Sequence, residues 1–157
     1  MTEGEKTRLI AWGNELEAVH RRLRDALQAT RAALGAGTTA RPVEGELLPF
    51  CHGFCAALTG HHQGEDRELF PVIAAQHPEL RETLRKLQQD HALIAELVED
   101  LQVATEGSHR PLEALESQLD GIAAIMESHF GYEERQLRTI LDTITLDANP
   151  HDVFGPL

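Results

Sequence analysis

The sequence predicts an all-α protein, an antiparallel up-down-up-down four-helix bundle. Apolar residues recur three and four apart through almost the whole chain, and sustained period-two alternation is nearly absent. Stretches rich in Gly and Pro divide that pattern into four long segments with short links, which makes sequential antiparallel packing the economical topology.

The first helix is expected from about Thr7 to Leu34, with its seam through Leu9, Leu16, Val19, Leu23, Leu27 and Leu34, and "GAGTTARPVEG" ends it. The second starts near Glu44 and runs through Leu47, Cys51, Phe54, Leu58, Leu69 and Val72, with Pro71 kinking or ending it. Pro78 opens the third at a favourable first-turn position. Its stripe is Leu80, Leu84, Leu87, Ile94, Val98 and Leu101, stopping near "EGSHRP". The fourth begins at Pro111 and carries Leu115, Leu119, Ile122, Met126, Leu137, Ile140 and Ile144. Residues 1–145 therefore form one bundle domain, and 146–157 a short tail rich in Pro and Gly that Phe154 could anchor.

Length and composition narrow the function. A chain of 157 residues is long enough to bury a core without cross-links. Its cysteines, Cys51 and Cys55, sit four apart on a helix, a spacing that suits buried thiols better than a disulfide. A reduced, cytoplasmic setting follows. No stretch approaches the roughly 20 apolar residues that span a bilayer. With 26 acidic against 14 basic residues, the formal charge of -12 repels nucleic acid and anionic membrane surfaces. The nine histidines are the anomaly.

Each apolar stripe is interrupted in register by polar residues. Leu16 and Leu23 flank His20, and Leu87 and Ile94 flank His91. Leu58 leads to His61 and Glu65, and Met126 leads to His129 and Glu133. His20 and His91 each lie 13 residues beyond the expected starts of their helices, roughly 20 Å up at about 1.5 Å per residue. His61 and His129 descend to about the same level, and the glutamates fall one turn lower. Six polar side chains thus share one slab of the interior. Unpaired, each would cost several kcal/mol, and a metal resolves the conflict. His-x-x-x-Glu occurs twice, placing an imidazole and a carboxylate on one helix face. Mixed nitrogen and oxygen ligation suits iron, manganese or zinc, and six donors are too many for one tetrahedral zinc.

"HHQGEDRELFP" and "HFGYEERQL", with the lone His20 and His91, resemble the motifs of the hemerythrin-like, or HHE cation-binding, proteins over roughly residues 10–145. The resemblance implies a four-helix bundle with a non-haem di-iron centre, its ions bridged by carboxylate and oxygen and held by His20, His61, Glu65, His91, His129 and Glu133. It also implies a small ligand such as hydrogen peroxide, O2 or NO, in a monomer or small homo-oligomer. Peroxide breakdown is the leading reaction; reversible O2 or NO binding, or iron binding without catalysis, is the alternative.

One departure stands out. Oxygen-carrying members have a second helix-three histidine where this chain has Ala95. The expectation is that the position stays open or that Tyr132, His62 or His52 fills it, Tyr132 being the strongest donor. By helical wheel His62 and His52 fall away from His61, toward outer or surface positions. Asp66 and Glu134, which follow the motif glutamates, are expected to be solvated or to accept hydrogen bonds from ligand imidazoles. His77, His109 and His151 fall in links or the tail.

Overall fold

The computed structural model describes residues 11–36, 44–106 and 111–155. Helix α1 spans Trp12–Ala36 and α2 spans Glu44–Gly64. A π-helical turn, Glu65–Leu69, carries α2 into α3, Phe70–Gln76. After a 3-10 turn at Pro78–Leu80 come α4, Arg81–Glu106, α5, Leu112–Leu141, and the short α6, Pro150–Phe154. The described residues contain no strand, and none of their helices is long and apolar enough to cross a membrane.

The four long helices form a square. Each of α1 and α4 packs against both α2 and α5, so α1 and α4 lie on one diagonal and α2 and α5 on the other. The seams that periodicity predicts face inward: Leu16, Val19, Leu23, Leu27 and Leu34 on α1, Phe54 and Leu58 on α2, Leu84, Leu87, Ile94, Val98 and Leu101 on α4, and Leu115, Leu119, Ile122, Met126 and Leu137 on α5 are all buried. Trp12 joins them at the start of α1. Leu9, the predicted start at Thr7, His109 and the side chains of Leu47 and Cys51 lie outside the described residues. Ion pairs such as Arg24–Glu127 and Arg31–Asp120 tie the outer edges of α1 and α5; at this exposure each contributes at most about 1 kcal/mol. Packing therefore holds the bundle together.

Two registers differ from the periodic expectation. In the π-turn the Phe70 N–H donates to the Glu65 carbonyl, five residues back. The wider turn accommodates an extra residue. Pro71, which has no N–H to continue the α-helical ladder, follows at the start of α3. The inward face shifts accordingly: Phe70 and Ile73 are buried beside Leu69, and Val72 is only half-buried. At the far end, α5 stops at Leu141, which is buried, whereas Ile140 and Ile144 are half-buried. Thr143 terminates that helix by donating its N–H and its hydroxyl to the Ile140 carbonyl.

The chain returns through α6, whose first turn is capped by the Asn149 side chain accepting from the His151 N–H at 2.9 Å. Val153 and Phe154 are buried, and the Phe154 ring meets Trp12 edge-on at 5.8 Å. α6 packs on α1, α2 and the π-turn.

Leu16 is fully buried, so Leu16→Ala should destabilise the metal-free protein by about 3 kcal/mol, read as a lowered denaturation midpoint with an unchanged slope.

Candidate metal centre

The bundle's square geometry places two adjacent α2 histidines inside. Consecutive helical residues point about 100° apart, and α2 stands at a corner between α1 and α4. His61 turns to α1 and meets the His20 ring edge-on at 5.2 Å. His62 turns to α4 and stacks on His91 at 3.9 Å, with 13° between planes. On α5, His129 meets His91 at 4.8 Å, and Phe130 stacks on His20 at 3.8 Å and 7°. The two halves thus correspond: His20 with His91, His61 with His129, Glu65 with Glu133, and His62 with Phe130.

All seven polar members, His20, His61, His62, Glu65, His91, His129 and Glu133, are buried. They form two donor groups: His62, Glu65, His91 and His129 make one, and His20, His61, Glu65 and Glu133 make the other. Within each group the candidate donor atoms lie within 4.8 Å of one another, and Glu65 belongs to both.

Four of the imidazoles are held from behind through Nδ1. His20 donates to Glu134 at 3.1 Å, His91 to Asp66 at 2.8 Å, and His129 to Asp90 at 3.0 Å. His61 donates to the Phe154 carbonyl at 3.0 Å. A carboxylate or carbonyl only accepts, so Nδ1 carries the proton in each case and Nε2 is directed to the interior. This is the outer arrangement that metal-binding histidines require.

The electrostatics are those of a polar cluster shielded from water. Burial opposes charge on His20, yet Glu133 and Glu134 outweigh it and raise the imidazole to about 9. Burial likewise opposes charge on His91, and Asp66 and Glu65 raise it to about 10. His91 Nε2–H then donates to His129 Nε2 at 3.2 Å. His61 is pushed down to about 3 by burial and by His20, and burial and the other imidazoles lower His62. His129 is lowered chiefly by burial. Burial and repulsion from Glu133 push the Glu65 carboxyl up to about 8. Glu133 is held well below the usual range because, against burial, His20 stabilises its charge.

The donor set fits a cation. His20 Nε2, His61 Nε2, His62 Nε2 and both carboxylate oxygens of Glu65 and of Glu133 are buried without a hydrogen-bond partner. Glu133 Oε1 stands 3.0 Å from His20 Nε2, off the line of a hydrogen bond. Orphaned atoms are rare in folded proteins and costly, and here they converge. Nitrogen and carboxylate oxygen together suit a borderline or hard divalent ion.

Of the positions singled out in the sequence, His20, His61, Glu65, His91, His129 and Glu133 come together. His62 joins them, contrary to the outer position its helical wheel implies. The wheel measured its angle from His61, whereas at a corner of the square the interior-facing arc exceeds 100°. Tyr132 is half-buried and packed against the apolar core, with no hydrogen bond to the cluster. His52 is exposed, and so is His151. His77 is half-buried and pairs with Glu79 at 3.3 Å. Ala95 is exposed at a cavity of about 220 Å³ between α2 and α4 that reaches His62 and His91. Asp66 and Glu134 accept from imidazoles, as anticipated. Asp90 and the Phe154 carbonyl were not anticipated. Asp90 had a local signal in "DH", an acid beside a core histidine, but its partner is on another helix.

No curated protein and no solved structure matches the chain. The family model described as hemerythrin HHE cation binding domain matches residues 14–141, nearly the whole described bundle. With the fold and the buried histidine and glutamate donors, this match establishes that the chain belongs to the hemerythrin HHE cation-binding family.

Proposed function

We propose that the chain holds two non-haem iron ions and uses them to break down hydrogen peroxide. The observation that carries the two-metal reading is Glu65: it alone belongs to both donor groups, and a carboxylate has two oxygens with which to bridge. His62, His91 and His129 would hold one ion, and His20, His61 and Glu133 the other. Shared between two ions, seven residues would leave room beside them for an exogenous ligand.

When bound, the irons supply the Lewis acidity and the redox change that disproportionation of hydrogen peroxide to water and O2 requires. The chain's own groups prepare for this. Asp66, Asp90 and Glu134 put anionic acceptors behind three ligand imidazoles, which raises ligand basicity and favours the more highly charged metal. The cavity beside His62 and His91 carries Thr59, Gln63 and Gln88 among its apolar lining, so a small polar molecule can enter. Phe130, fully buried over His20, keeps water from the opposite half. A cytoplasmic setting, inferred from a cysteine spacing that suits thiols, completes the reading.

A second reading, reversible binding of O2 or NO, gains from one observation. His62 brings the imidazoles to five, so the donor that Ala95 does not supply is not missing. The readings separate directly: peroxide added to iron-loaded protein gives catalytic O2 release under the first, and O2 or NO added to reduced protein gives a stable, reversible adduct under the second.

Elemental analysis should find about two irons per chain, the number of donor groups. Glu65→Ala should lose both and Glu133→Ala at least one, while His62→Ala should fall toward one. Tyr132→Phe and His52→Ala should keep the wild-type content and optical spectrum. Stoichiometric zinc alone, or unchanged iron in Glu65→Ala, would refute the assignment.

Metal uptake should also release protons. At pH 7 His20, raised to about 9, His91, raised to about 10, and Glu65, raised to about 8, hold protons that the metal displaces, about three per chain. The same shifts set the stability of the metal-free fold. The imidazoles contribute fully below pH 6.5 and lose their contribution as pH rises through 9 to 10, and the protonated Glu65 loses its own between 4.5 and 8. The metal-free protein should therefore melt lower at pH 9 than at pH 7, and iron loading should flatten that dependence.

A further inference from the structure

We infer that the C-terminal segment is a working part of the metal centre: the Phe154 carbonyl, brought onto α2 through paired glycine contacts, is the positioning group that fixes His61 for its ion. This rests on reading His20, His61, Glu65 and Glu133 as a metal-binding group. His61 is fully buried, and its Nδ1–H donates to the Phe154 carbonyl at 3.0 Å. His20, His91 and His129 lean instead on carboxylates from α5, the π-turn and α4. Among these four, only His61 has a neutral partner, and only that partner comes from outside the main bundle and its π-turn.

Both surfaces are stripped to permit the approach. A Cβ on Gly64 would lie 2.3 Å from the Val153 carbonyl oxygen. Gly155 has φ of 92°, and a Cβ there would lie 2.8 Å from the His61 backbone nitrogen. Backbone thus meets backbone where any side chain would hold them apart. Asn149 caps α6, and buried Val153 and Phe154 seat it. The Phe154 ring also lies 5.7 Å from the His61 ring.

A neutral imidazole is free to carry its proton on either nitrogen, and only the Nδ1–H form turns an Nε2 lone pair to the interior. The Phe154 carbonyl selects that form. Because a carbonyl is a weaker acceptor than a carboxylate, His61 is also a weaker donor than its counterpart His129, and the two metal positions differ in affinity.

The test compares the unaltered chain with Gly155→Ala and with a chain lacking residues 150–157. In metal-free protein, long-range nitrogen–proton correlation spectra of the imidazoles should show His61 as a single Nδ1–H tautomer, becoming mixed in both variants. In an iron(II) titration, one of the two equivalents should weaken about 10- to 100-fold and the other should hold. Should the shortened chain fail to fold, Gly155→Ala carries the test. The inference is overturned if His61 keeps its tautomer in Gly155→Ala, or if the two equivalents weaken alike or not at all. If wild type takes up a single ion, the two-metal reading fails separately, and the metal-free tautomer measurement still decides the role of the tail.

Discussion

The structure depends on how one buried set of imidazoles and carboxylates is compensated. Five histidines and two glutamates sit where a bundle of this size would otherwise place leucine. Part of the compensation is internal, with His20 and His91 positive against Glu133 and the outer acids. The rest is unmet, since both oxygens of Glu65 and of Glu133 lack hydrogen-bond partners. A fold that buries such groups is organised for a cation, because a cation satisfies many lone pairs at once and repays the desolvation that hydrogen bonds leave.

The apolar seams make that arrangement rigid. Leu16 and Leu23 on α1 and Leu87 and Ile94 on α4 are buried on either side of His20 and His91, so those rings cannot leave without opening the core. Stacking against Phe130 and His62 fixes their planes. The difference between these two stacking partners is the main asymmetry of the centre: an imidazole in one half stands where the other half has a phenyl ring.

The helical irregularities concentrate at the same level. The π-turn begins at Glu65, the residue common to both donor groups, and places Asp66 where it accepts from His91. Local departures from α-helical geometry often mark functional positions in this way. The tail adds a second contribution, since α6 closes the other side of α2 at His61.

Much of this was legible in the sequence. Period and interruption are local properties, so the four helices, their seams and the six residues of the two His-x-x-x-Glu pairs and two lone histidines could be read directly. What only the tertiary structure decided was that His62 joins the cluster, and the outer partners of His129 and His61. His62 lies about 100° from His61, and whether that angle meets solvent or a neighbour depends on α2 standing at a corner between α1 and α4. Asp90 reaches His129 from 39 residues away, and the Phe154 carbonyl reaches His61 from 93. No pattern within one helix encodes such contacts. They exist because the bundle brings distant backbone and side chains together, and a peptide carbonyl leaves no mark on the residue type that carries it.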